Sequence, residues 1–166
     1  LLRTLGGLLY QGNGKTEPVQ VNGITNVMNM DAGSSFAVVT NAGQVYQWAT
    51  NDTLAKKVEG LSNIASVHVG NDFAIAVNES GYAYGWGAAG LGQLGIGHDT
   101  RSGIDYDRNT GFTRIEEPVQ VLKGDTFNAD ATPGLQSVLT MAAGQDRVLA
   151  VRADGFVYAW GNNPGM

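Results

Sequence analysis

Residues 81–97 read GYAYGWGAAGLGQLGIG, seven glycines in seventeen positions with Trp86 between two of them. Two chemistries put bare backbone beside a large aromatic. One is a phosphate cradle, in which glycine amides approach an anion at the start of a helix. The other is a structural repeat whose chain turns tightly around a packed indole. A dinucleotide cradle needs an amphipathic helix after the glycines, but the next residues, HDTRSGIDYDRNTG (98–111), are polar and rich in turn formers. The structural reading is therefore the one to extend along the chain.

Working outward, the same pattern occurs three times: DAGSSFAVVTNAGQVYQW (31–48), HVGNDFAIAVNESGYAYGW (68–86) and AAGQDRVLAVRADGFVYAW (142–160). Each copy holds a first glycine (Gly33, Gly70, Gly144), an apolar run, a polar turn closed by a second glycine (Gly43, Gly81, Gly155), then tyrosine, one residue and tryptophan (Trp48, Trp86, Trp160). The tryptophans are 38 and 74 residues apart, so the spacing varies while the unit does not. A shorter motif, EPVQV, occurs at 17–21 and again at 117–121. Repeats of this kind govern the reading of everything inside them.

Each unit reads as a hairpin. The apolar runs are short and partly β-branched, NESG and RADG supply residues that tolerate positive φ, and the strand after the turn alternates faces. A further strand candidate precedes each hairpin, at 24–30, 64–69 and 135–141, and before it lies a short apolar segment containing Val19, Val58 or Val119. Four short strands per unit is the count of a propeller blade. Helices are disfavoured, because glycine falls in nearly every ten-residue window and each costs a helix about 1 kcal/mol.

GYAYGWGAAGLGQLGIG and GFVYAWGNNPG together resemble the regulator of chromosome condensation repeat, in which a glycine, a hydrophobic–tyrosine strand, Trp-Gly and then Gly-Gln-Leu-Gly come in order. The resemblance covers residues 17–166. It implies an all-β fold, a β-propeller of four-stranded antiparallel blades in a seven-bladed ring. Residues 1–166 then form one propeller segment, a partial ring of about three blades at 17–51, 57–88 and 117–163, with inserted loops at 98–116 and 123–134. GGLLYQGNGKTEPVQV at the start looks like a worn half-repeat. Two departures stand out: the histidine common in the family's repeat is replaced by Phe36, Phe73 and Arg147, and the first unit continues Trp48-Ala-Thr-Asn-Asp in place of Trp-Gly. An arc of three blades leaves open sheet faces, so the chain is expected to need remaining blades or a second copy of itself to complete the ring.

Composition narrows the function. Net charge is −5, which disfavours nucleic acid and anionic membrane as partners. Cysteine is absent, which removes disulfides, thiolate metal sites and a cysteine nucleophile. No apolar run is long enough for a membrane span. His68 and His98 are isolated, Ser34 and Ser35 have no evident base, and no nucleophile elbow is present, so an enzyme is not expected.

Two loops carry the remaining candidates. In 105–116, Asp105, Asp107, Asn109 and Glu116 take the first, third, fifth and twelfth places of a calcium loop, where alternating oxygens surround a hard cation. Thr110 stands where that loop needs glycine, so a solvated turn-rich loop competes with the metal reading. Tyr106, Phe112 and Phe127 are the aromatic candidates for partner contact. The expected function is a non-enzymatic binding or scaffold module that meets a protein partner through rim loops. The alternatives are a guanine nucleotide exchange factor for a small GTPase and a calcium-supported adhesin or lectin. Abundant Asn, Thr, Gly and Asp in the loops and the lack of cysteine favour an extracellular or bacterial cell-surface location over the cytoplasm.

Overall fold

The structure is a computed structural model that describes residues 2–4, 9–12, 17–52, 54–96, 114–123 and 134–162. The described residues form fourteen strands and no helix. The first sheet comprises β1 (Leu2–Arg3), β2 (Leu9–Gln11) and β3 (Val19–Gln20). The second holds β4 (Val27–Ala32), β5 (Ser35–Thr40), β6 (Val45–Ala49) and β7 (Lys56–Lys57). The third holds β8 (Ile64–Val69), β9 (Phe73–Asn78), β10 (Ala83–Ala88) and β11 (Arg114–Gln120). The fourth holds β12 (Val138–Ala143), β13 (Arg147–Arg152) and β14 (Val157–Gly161). Within each sheet, neighbours in sequence are neighbours in space and antiparallel.

The turns form as their residues dictate. In NESG, the Asn78 side chain accepts from the Ser80 and Tyr82 amides, Gly81 N–H donates to the Asn78 carbonyl, and Gly81 sits at φ +78°. This closes a two-strand hairpin without strain, since glycine has no Cβ to clash at positive φ.

Packing explains why the first strand of each hairpin is a nearly continuous apolar run rather than an alternating one. Side chains of a strand point to opposite faces in turn, and each central sheet has a neighbour on both faces. On β9, Ala74 and Ala76 pack toward the second sheet with Val39, Val67 and Trp86, while Phe73, Ile75 and Val77 pack toward the fourth with Leu135, Val138 and Val148. A third cluster of Leu9, Val21, Ile24, Val27, Val38 and Trp48 joins the first two sheets. Each core therefore lies between sheets, as in radially packed blades.

One sequence expectation is corrected. The segments containing Val19, Val58 and Val119 do not open their own blade; they supply or adjoin the outermost strand of the preceding sheet, so the sheets run 2–20, 27–57, 64–120 and 138–161. Backbone and side chain point to different sheets there. Val21 and Val121 donate their amides to Leu9 and Ala83 of the sheet behind, while their side chains enter the core shared with the sheet ahead. Apolar pattern tracks the side chain, and pairing tracks the backbone. As a result the worn half-repeat at the start is a sheet in its own right. The 98–116 insert leaves from within the third sheet, between β10 and β11, and its last residues, 114–116, are strand. The 123–134 insert joins the third sheet to the fourth rather than lying inside a blade.

Candidate interaction surfaces

The repeat's signature residues are spent on seams between sheets. Trp48 Nε1 donates to Gln11 Oε1 at 2.7 Å, and Trp86 Nε1 donates to Gln47 Oε1 at 2.6 Å. In each case the acceptor belongs to the sheet before, at the position just after the repeat tyrosine (Tyr10-Gln11, Tyr46-Gln47). The third sheet has Gly85 at that position, and here the glycine-rich stretch takes over. Leu94, fully buried, folds over Gly85, and the Gln93 carbonyl accepts from Trp160 Nε1 at 2.9 Å. The glycines from Gly81 to Gly95 thus let the backbone double back and stand in for a missing glutamine side chain. Gln11 and Gln47 escaped the sequence reading; the signal was the residue that follows the repeat tyrosine.

Of the first glycines, Gly33 and Gly70 are sites of close approach, whereas a Cβ on Gly144 would meet only the Arg147 carbonyl oxygen, at 3.8 Å. A Cβ on Gly33 would lie 2.8 Å from the Gly70 carbonyl oxygen, and one on Gly70 would lie 2.7 Å from that of Gly144. The second glycines behave alike: a Cβ on Gly43 would meet Asn63 Cα at 2.8 Å, and one on Gly81 would meet Ser137 Cα at 2.9 Å. Gly155 meets nothing within 4 Å. Consistently, the fourth sheet's far face presents Leu149 at 49% and Val157 at 59% exposure, although the matching Ile75 and Ala83 are fully buried.

Inner strands β4 and β8 are tied by side chains that mimic a strand edge. Asn29 Oδ1 accepts from the Val67 amide at 2.9 Å and Asp31 Oδ2 from the Val69 amide at 2.8 Å. Between these amides lies His68, half-buried, with Nε2 3.2 Å from Ser66 Oγ. Burial pushes its imidazole below the ordinary value of 6.5, while attraction to the Asp31 carboxylate works the other way and only partly offsets it. The folded chain therefore binds fewer protons than the unfolded one on the acid side, so stability falls as pH drops from about 6.5 through the lower folded value and is unaffected above it. Replacing His68→Gln is expected to flatten that part of the acid limb in thermal melts run between about pH 7 and about pH 5. An unchanged limb would assign it to other groups.

Two insert roots are closed by pairing. Ala88 pairs with Arg114 at the mouth of the first, where Arg114 also bonds Asp72 at 2.7 Å. An isolated bridge pairs Leu122 with Gly134 at the mouth of the second. Because the strands alternate in direction, the connection from β10 to β11 and the connection from β11 to β12 leave from opposite rims. On the rim bearing the β5–β6 turn lies a recess of about 410 Å³ lined by uncharged residues, among them Thr25, Asn26, Asn41, Gln44 and Tyr46.

Of the predicted site residues, Glu116 lies on β11, exposed, its Oε1 accepting from Arg114 Nε at 2.7 Å. A cation would have to compete with that guanidinium. Asp105, Asp107, Asn109, Tyr106, Phe112, Phe127 and His98 lie outside the described residues. Among the described residues no group of three or more His, Cys, Asp or Glu is placed to hold a metal, and no helix is long and apolar enough to cross a membrane.

No family model matches the chain, and no curated protein does. Solved structures do. Yeast RCC1 (Prp20) bound to Kap60 aligns over 89% of this chain and 34% of its own, with 20% identity and a TM-score of 0.66. Prp20p from Saccharomyces cerevisiae, studied for its binding to Gsp1p and histones, aligns over 89% and 36% with 19% identity and a TM-score of 0.65. Human WBSCR16 aligns over 90% and 38% with 17% identity and a TM-score of 0.64. The chain spans about a third of the length of these neighbours. With sheets stacked through their faces and the repeat tryptophans bonded across each seam, the chain folds as a partial ring of RCC1-like propeller blades.

Proposed function

We propose that this chain is a non-enzymatic protein-interaction module in which the propeller arc carries recognition loops. The observation that supports this most directly is the closure of both insert roots by backbone pairing, Ala88 with Arg114 and Leu122 with Gly134. A loop held at a paired root varies without disturbing the sheets beneath, which is how rigid β scaffolds present recognition segments. The arc acts alongside further blades or a second copy that cover the open face of the fourth sheet.

Replacing residues 98–113 by a short glycine-asparagine turn tests the reading. The expected result is a thermal midpoint lowered by no more than about 4 °C, since no described core residue is removed, together with loss of the protein partner captured by cross-linking the intact chain. Retained capture by the loop-replaced chain would overturn it. A second reading, nucleotide exchange on a small GTPase, draws on the likeness to Prp20p and its reported binding to Gsp1p. Adding the chain to a Ran-type GTPase loaded with labelled GDP separates the two: accelerated release supports exchange, and unchanged release supports the scaffold.

A further inference from the structure

We propose that the seam between inner strands β8 and β12 binds a carboxylate, which takes the position that the Asp31 side chain fills in the seam between β4 and β8. The two seams are built alike. Where the second sheet meets the third, the Ile64 amide donates to the Gly43 carbonyl at 3.1 Å, and a Cβ on Gly33 would lie 2.8 Å from the Gly70 carbonyl oxygen. Where the third meets the fourth, the Val138 amide donates to the Gly81 carbonyl at 3.1 Å, and a Cβ on Gly70 would lie 2.7 Å from the Gly144 carbonyl oxygen. Both ends of β8 and of β12 are thus pinned in the same way to the sheet before. Each strand also has a register shift at the same step, between Ile64 and Ser66 and between Val138 and Thr140. Met141 and Ala143 therefore stand to Ser66 and His68 as Val67 and Val69 stand to Asn29 and Asp31.

The backbone of Met141 and Ala143 faces this seam. Antiparallel pairing turns alternate residues toward the partner strand. The Gly144 amide donates to the Arg147 carbonyl, so Ala142 and Thr140 also face β13, while Met141 and Ala143 face away from it. Across the earlier seam the matching amides meet acceptors, Asn29 Oδ1 for Val67 and Asp31 Oδ2 for Val69. Across this one, neither amide has an acceptor among the described residues.

Ser66 and His68 project toward the fourth sheet, because they pair with Val77 and Ile75, whose side chains pack there. They bring a donor where the earlier seam has a carboxylate. His68 Nε2 lies 3.2 Å from Ser66 Oγ. A neutral imidazole and a hydroxyl hold one N–H and one O–H between them; their mutual bond uses one, and the other is left over. Two backbone amides and this third donor suit the two oxygens of a carboxylate, and bonds to an ionised oxygen are the stronger kind. Asp31 does not fill the site, since its own oxygens accept from the Ala32 and Val69 amides. Thr140 and Ala142 are exposed beside the seam, so it opens to solvent. This inference does not rest on the rim-loop reading, since neither insert takes part.

The test titrates the whole chain with sodium acetate and with the blocked peptide acetyl-Gly-Asp-Gly-amide, against sodium chloride at equal ionic strength, and follows amide and imidazole shifts by NMR. Saturable shifts of the Met141 and Ala143 amides and the His68 ring are expected with both carboxylates and not with chloride. Tighter acetate assigns the site to a free acid, and tighter peptide to an acidic side chain of a protein partner. His68→Asp copies the residue of the earlier seam and is expected to fill the site from within. Ser66→Asn copies its other acceptor and decides the matter if His68→Asp does not fold; unmoved Gly43 and Gly81 amides show that a variant is folded. Each is expected to weaken acetate binding about tenfold, the worth of one hydrogen bond to a charged group. An equal response to chloride, shifts that leave Met141 and Ala143 unmoved, or unchanged acetate affinity in the folded variants would each overturn the proposal.

Discussion

Gly81→Ala is expected to destabilise the chain by about 3 kcal/mol, whereas Gly155→Ala, at the same place in the next repeat, costs only about 1 kcal/mol. Both glycines close a hairpin turn at positive φ, +78° and +84°, so an alanine meets the same backbone strain in each. What differs is the neighbour. A Cβ at Gly81 would come within 2.9 Å of Ser137 Cα and of the Ser137 and Val138 amide nitrogens, all backbone that cannot swing aside, and would disturb the Val138 amide bond to the Gly81 carbonyl. At Gly155 there is open space. A gap of about 2 kcal/mol corresponds to about 4–8 °C in thermal midpoint for a chain of this size. Equal midpoints for the two variants would mean that the third and fourth sheets do not meet as described.

Trp86→Ala is expected to cost about 3–5 kcal/mol, enough to unfold a domain of ordinary stability. The indole is 5% exposed and fills the core between the second and third sheets. Its N–H also meets Gln47, whose amide nitrogen donates to Ser35 Oγ at 2.8 Å, so the bond links two sheets through a positioned partner. A double-mutant cycle of Trp86→Phe with Gln47→Leu isolates that link: a coupling of about 1 kcal/mol is expected, because removing either partner alone strands the other. Trp160→Ala should be milder, as that indole is only partly buried. Denaturant titrations measure all of these. A cycle with no coupling would reduce Trp86 to apolar filler.

Much of the architecture was legible in the sequence. The hairpins announce themselves because turn chemistry and face alternation are local: NESG and RADG turn by their own side chains, and a strand's period of two is written in consecutive residues. The tryptophans and glycines were recognisable as structural because they recur in register. The blade boundaries were not legible from apolar pattern alone. At Val21 and Val121 the side chain serves one sheet and the backbone another, and a hydropathy pattern records only the side chain. Gln11 and Gln47 were hidden for a related reason, since a lone polar residue becomes a seam acceptor only when the next sheet brings an indole to it.

Local chemistry along the chain was thus sufficient for strands, turns and the propeller class. Which sheet each outer strand joins depended on backbone pairing that hydropathy does not record, and which glycines are contacts rather than mere turns depended on groups more than 30 residues apart, as where a Cβ on Gly33 would lie 2.8 Å from the Gly70 carbonyl oxygen. Only the packed sheets bring such groups together, because close approach of two backbones is a property of the pair and is encoded in neither segment alone.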